Sequence, residues 1–118
     1  MAKILVVDDA ELVRMRVTYI LKNLNHEIIE ADNGVMAVEL FKLKKPDLTI
    51  LDITMPLKDG IEALKEIIQI NKQAKVIMLT NIGDQNTIIE ALEAGAIDYI
   101  IKPIQEDVLS NAVKKIFG

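Results

Sequence analysis

Residues 3–9 read Lys3-Ile4-Leu5-Val6-Val7-Asp8-Asp9. The apolar run Ile4–Val7 leaves no polar face, so it predicts a strand covered on both sides, and it stops abruptly on two carboxylates. The same pattern of short apolar run and sharp stop recurs at Glu27–Ala31, Leu48–Leu51 (before Asp52), Lys75–Leu79 (before Thr80) and Asp98–Ile101 (before Lys102-Pro103). Between these runs the apolar residues follow helical spacing. Ala10 to about Leu24 carries Val13, Val17, Ile20, Leu21 and Leu24, and Val35–Lys44 turns Val38 and Phe41 inward before Pro46. Asp59 and Glu62 resemble a capping box ahead of Ile61, Leu64, Ile67 and Ile68. Asp84 to about Ala94 halts at Gly95, a C′ glycine, and a last helix from about Gln105 aligns Val108, Leu109, Ala112, Val113, Ile116 and Phe117. Five strands alternating with five helices predict an α/β fold, a parallel sheet wound with helices on both faces.

The 118-residue length sets one domain, with no repeat, low-complexity stretch or linker to divide it. No cysteine is present, which excludes disulfides, thiolate metal sites and cysteine nucleophiles, and His26 stands alone. The net charge of −4 argues against nucleic-acid binding and polybasic membrane attachment. With Tyr19, Phe41, Tyr99 and Phe117 the only aromatics, a base-stacking platform is excluded too. No uncharged run reaches the ~20 residues of a membrane span, and the N-terminal apolar run is too short for a signal peptide. These features predict a soluble, cytoplasmic domain ending on its last helix with no output domain attached.

In an open α/β sheet, sites form at the carboxyl ends of the strands. Reading the residues there collects Asp8 and Asp9, Asp52, Thr80 and Lys102 on one edge. Three carboxylates against one ammonium leave a surplus of negative charge that a divalent, oxygen-loving cation would neutralise, and Mg2+ suits that donor set. Magnesium favours a phosphate oxygen as a further ligand, so the cluster reads as phosphoryl chemistry. Asp52 is the central carboxylate and a competent covalent phosphoryl acceptor. Lys102 and the Thr80 hydroxyl are placed to bind the added oxygens.

Singly, these residues have plainer readings. Asp8-Asp9 would serve as helix N-caps, Thr80 as a strand-end hydroxyl and Lys102 as a solvated lysine before a turn. Their gathering on one edge is what favours a site. His26 reads as a solvated loop histidine, Met15, Met36, Met55 and Met78 as packing residues, and Lys42, Lys44 and Lys45 as a solvated helix end.

The segments ILVVDDAELVR, LTILDITMPLKDGIEAL, VIMLTNIGD and EALEAGAIDYIIKPI together resemble the receiver domains of two-component response regulators, in particular the stand-alone chemotaxis type. The resemblance runs over essentially the whole chain and implies one receiver domain over residues 1–118, with flavodoxin-like strand order 2-1-3-4-5. It implies that a histidine kinase phosphorylates Asp52. It also implies that Asp9 ligates Mg2+ directly, Asp8 mainly through water and Thr54 through its backbone carbonyl. Lys102 would meet the phosphoryl group, with a cis bond to Pro103, while Thr80 and Tyr99 would form a switch pair. Asn81 stands where small residues are usual, and with Thr54 and Ile82 it would tune access to the phosphoryl group and its lifetime.

The readout surface implied by the resemblance is the fourth helix, fifth strand and fifth helix. Between residues 84 and 107 it carries Asp84, Glu90, Glu93, Asp98, Glu106 and Asp107 against Lys102 alone, suiting a partner with a basic face. The leading reading is a phosphorylation-controlled binding switch, without enzymatic turnover beyond its own phosphorylation and dephosphorylation, acting on a motor or adaptor protein and open to a phosphatase. Alternatives are a phosphorelay carrier and a receiver-like module that binds constitutively. A phosphatase with an aspartyl-phosphate intermediate is disfavoured, because Asp52-Ile53-Thr54 lacks a second aspartate two positions on. A flavodoxin-type FMN protein is disfavoured by the lack of aromatics to sandwich the ring.

Overall fold

β1 (Lys3–Val7) lies second from the edge and organises the sheet. It pairs in parallel with β2 (Glu27–Ala31) on one side and β3 (Leu48–Leu51) on the other. β4 (Val76–Thr80) and β5 (Asp98–Ile101) continue outward, giving the order β2-β1-β3-β4-β5. The helices between and after them are α1 (Glu11–Lys22), α2 (Gly34–Lys44), α3 (Gly60–Ile70), α4 (Gln85–Glu93) and α5 (Glu106–Phe117). The computed structural model describes residues 1–118 throughout. The doubly wound arrangement and the strand order agree with the expectations above. Boundaries differ slightly: β4 begins at Val76 and takes in Thr80, because the ladder to β5 extends to the pair Thr80 and Ile101.

Alternation along the strands divides the core into two layers. Ile4, Val6, Leu48, Ile50, Ile77 and Leu79 face α1 and α5, meeting Val17, Ile20, Leu21, Leu109 and Val113. Leu5, Val7, Leu51, Val76 and Met78 face the other way, against Val38, Phe41, Leu64, Ile67 and Ala91 of α2, α3 and α4. Since every strand is parallel, every helix runs back against it and starts at the carboxyl edge. Asn33, Asp59 and Asp84 cap α2, α3 and α4 by accepting from Met36, Glu62 and Thr87 backbone N–H groups. α1 is different: its N-cap is Ala10, with no side-chain cap, so Asp9 is not the capping residue. Asp8 accepts from the Ala10 N–H instead.

Three plainer expectations need correction. His26 is half-buried: its Nδ1 accepts from the Ala2 N–H at 3.0 Å and its ring tilts against Phe117. Burial, then the nearby N-terminal ammonium, hold its pKa below the ordinary value. Met15 and Met36 are largely exposed rather than packing, because each falls on the outward-facing side of its helix, whereas Met78 is fully buried. Gly34 and Gly60 are chosen for closeness: a Cβ on either would collide with a backbone carbonyl, of Lys58 and Asp52 respectively.

Candidate functional site

Each acid is delivered by the end of a strand. β3 is buried along its whole length and hands over to Asp52, which is itself 5% exposed. The Asp52 backbone N–H donates to the Val7 carbonyl, extending the β1–β3 ladder one step beyond the strands. Its Oδ1 accepts from the Ile53 N–H at 2.7 Å, fixing the carboxylate's rotation. Behind it, Gly60 at the start of α3 sits against the Asp52 carbonyl and donates its own N–H to the Ile53 carbonyl. The β3–α3 connection is thereby locked onto the acid's backbone.

Asp8 continues β1 and is 3% exposed. All its polar groups are occupied. Its N–H donates to Ala31, its carbonyl accepts from Arg14 Nη1 at 2.7 Å, Oδ1 accepts from the Ala10 N–H, and Oδ2 accepts from Lys102 Nζ at 2.8 Å. Asp9, next in the chain, is exposed. One carboxylate oxygen from each of Asp8, Asp9 and Asp52 lies within 4.8 Å of the others. Lys102, at the end of β5 and joined to Pro103 by a cis peptide bond, reaches across to Asp8 and to Asp52 Oδ2 at 3.2 Å.

The electrostatics follow from this packing. Burial raises the Asp8 carboxyl above its usual range, although the hydrogen bonds from Lys102 and Ala10 pull the other way. Burial alone would lower Lys102, but the Asp8 hydrogen bond and the Asp52 and Asp8 charges outweigh it, and the ammonium is held above its ordinary value. One cation thus faces three carboxylates in a partly desolvated cleft. The donor set is all oxygen, its charge is in excess, and the exposed Asp9 side chain is free to take a ligand, which fits a hydrated divalent cation such as Mg2+.

The remaining expected residues are placed around this cleft. Thr80, 1% exposed, ends β4, and its Oγ1 accepts a long 3.4 Å hydrogen bond from the Ile82 N–H. Tyr99 is half-buried, and its hydroxyl donates to the Ile82 carbonyl at 2.5 Å. Burial, then the charges of Asp84 and Asp52, raise the Tyr99 pKa. Thr80, Ile82 and Tyr99 therefore form one hydrogen-bonded chain leading away from the acids, a linkage the sequence did not reveal because it runs through the backbone of Ile82. Asn81 and Thr54 are exposed, and both follow strand-end site residues in the chain. Sequence reasoning also missed Arg14, whose partner Glu30 lies sixteen positions on and becomes its neighbour only in the folded sheet.

Lys102, reckoned above with the acidic surface, turns into the cleft instead. The groove between β5 and α5 is lined by Asp98, Tyr99, Ile101, Val108 and Lys115, so a lysine from further along the chain tempers that face. Glu90 is paired with Lys65 at 3.2 Å. No helix is long and apolar enough to cross a membrane.

The response regulator receiver domain model matches residues 4–114. The chemotaxis protein CheY of Bacillus subtilis is 49% identical over 114 residues, covering 96% of this chain and 95% of that protein. The sporulation initiation phosphotransferase F of the same organism is 35% identical, covering 96% and 91%. Among solved structures, a CheX–CheY–BeF3–Mg complex from Borrelia burgdorferi contains a chain that superimposes with a TM-score of 0.93 at 33% identity, over 98% of this chain and 89% of that one.

Proposed function

The chain belongs to the response regulator receiver family and is closely related to CheY chemotaxis regulators, and on that premise we propose that it is a single-domain signalling switch that accepts a phosphoryl group on Asp52. The observation that carries this reading is the buried Asp52 carboxylate, held by the Ile53 N–H and grouped with Asp8 and Asp9 beside Lys102. The donor would be a phosphohistidine of a histidine kinase. Asp52 attacks phosphorus, a carboxylate O–P bond forms, the N–P bond breaks, and the imidazole nitrogen keeps the electron pair. Asp9 and Asp52, with Asp8 through water and the Thr54 carbonyl, are the residues that would hold Mg2+, which offsets charge on the transferring group when bound. Lys102 exchanges its Asp52 contact for a phosphoryl oxygen, and Thr80 donates its hydroxyl to another.

Phosphorylation replaces one carboxylate charge by about −1.5 to −2 and adds three strong acceptors. Shifting a switch from 1:99 to 99:1 takes about 5.5 kcal/mol of differential interaction. New charge-assisted contacts to Lys102 and Thr80 supply energy of that order. Thr80 reports the change through Ile82 to Tyr99, and so to the surface of α4, β5 and α5. Asn81, Thr54 and Ile82 would set how long the phosphoryl group survives. A motor or adaptor protein is the favoured partner, a cytoplasmic setting follows from such partners, and a phosphatase is a natural antagonist. The similarity to a sporulation phosphotransferase supports a relay carrier as the second reading.

The test combines chemistry with binding. With Mg2+ and acetyl phosphate, wild type should become phosphorylated and Asp52→Asn should not. Beryllofluoride-treated wild type should then retain a partner that untreated protein and Asp52→Asn release. Equal retention by all three forms would refute the switch, and onward transfer to a second histidine protein would select the relay.

A further inference from the structure

Arg14 lies on α1, outside the acid cluster, yet it is tied to that cluster through the backbone. Its Nη1 donates to the Asp8 carbonyl at 2.7 Å while its Nε donates to Glu30 Oε1 of β2 at 3.1 Å. The side chain is only 17% exposed, so this is a held fork and not a solvated arm. We propose that Arg14 is a positioning residue for the divalent-cation site, acting by fixing the peptide plane between Asp8 and Asp9.

The carbonyl it grips belongs to the rigid peptide unit that ends at the Asp9 Cα. Pinning that oxygen sets the direction in which the Asp9 carboxylate leaves the chain. Asp9 is the exposed member of the acid cluster, and its carboxylate has no hydrogen bond of its own to hold it. Asp8, by contrast, is fixed at every polar atom, and one of those four anchors is Arg14. The site therefore gets its rigidity from Asp8 and its open ligand from Asp9, with Arg14 transmitting the first to the second.

Glu30 completes the device. A bare guanidinium this close would oppose the entry of a dication. Paired with Glu30, Arg14 supplies a hydrogen-bond fork while contributing little net charge. Lys102 is the charge partner of the acids, and Arg14 is their scaffold. These are separate tasks that a sequence listing only basic residues would merge.

This inference rests on the proposed cation site, and the experiment separates the two. Mg2+ affinity of the full chain is measured by calorimetry for wild type, Arg14→Met, Arg14→Lys, Glu30→Gln and Ile67→Val, with urea unfolding of each. Arg14→Met should weaken Mg2+ binding about tenfold, as loss of an outer orienting partner does. Arg14→Lys should recover part of that, since an ammonium can reach the carbonyl without reproducing the fork. Glu30→Gln should also weaken binding, by leaving the guanidinium charge uncompensated. Ile67→Val, a core truncation in α3, should lose stability and keep its affinity. Affinity within twofold of wild type for Arg14→Met overturns the proposal, whatever happens to stability. If that variant does not fold, unchanged affinity in both Arg14→Lys and Glu30→Gln overturns it. A wild type that binds no Mg2+ overturns this inference together with the cation site beneath it.

Discussion

Burial favours the protonated form of the Asp8 carboxyl. Its folded-state pKa lies above the ordinary 3.8, so as pH rises the unfolded chain releases its proton first. Stability is therefore lost between pH 3.8 and the folded-state value, and remains lost above it. Asp8→Asn, which keeps an acceptor for the Ala10 N–H, should stabilise the metal-free protein at pH 7 while weakening Mg2+ binding. That gain should vanish below pH 3.8, as denaturant titrations at the two pH values would register. Thr49 presents a different imbalance. It is fully buried in β3 with an unpartnered hydroxyl, and its place on the strand puts it among the apolar residues facing α2 and α3. Thr49→Val keeps the shape and should raise stability by about 1 kcal/mol, measured as a higher urea midpoint at constant slope. Asp8, Asp9 and Asp52 were legible in the sequence because each interrupts an apolar run, whereas the loneliness of the Thr49 hydroxyl depends on neighbours that only the fold supplies.

Among the elements, the joint between β3 and α3 is the least tolerant. Gly60 starts α3 against the Asp52 carbonyl, and its N–H closes onto Ile53. Gly60→Ala should cost about 2–3 kcal/mol and slow phosphorylation of Asp52, because the helix must retreat from the acid it supports. Thermal unfolding and acetyl phosphate kinetics read the two effects separately, and an unchanged protein would refute the close approach. The sequence showed Asp59 and Glu62 as a helix start but not why a glycine falls between them, since the pressure comes from the carbonyl of Asp52, eight residues earlier. The strands themselves were nearly all legible, each being a dense apolar run between polar stops. Helix starts were harder to place. Asp9 looked like a cap, but the Asp8 side chain takes the Ala10 N–H and releases Asp9 outward. The first turn of α1 has no side-chain cap at all, so the acidic pair belongs to the site and not to the helix start.

For the molecule as a whole, cation binding and folding should be coupled. A cation that binds only the folded cluster stabilises it by RT ln(1 + [L]/Kd), about 2.7 kcal/mol at a hundred times Kd. Added Mg2+ should raise the unfolding midpoint of wild type, chelator should reverse this, and Asp9→Ala should show almost no response. A shift of equal size in Asp9→Ala would remove Asp9 from the ligand set. The parallel sheet has one more effect. Because all five helices start at the same edge, Glu11, Glu62, Glu106 and Asp107 occupy their first turns there. Lys22, Lys42, Lys44, Lys114 and Lys115 sit in the last turns at the opposite edge. Each placement suits its own helix dipole, and together they polarise the protein along the strand direction. In the field of a basic partner such a body is turned before it touches, bringing the acceptor edge forward during diffusion and narrowing the orientational search. The proposed phosphorylation of Asp52 would deepen the negative pole and aim the molecule more strongly in that state.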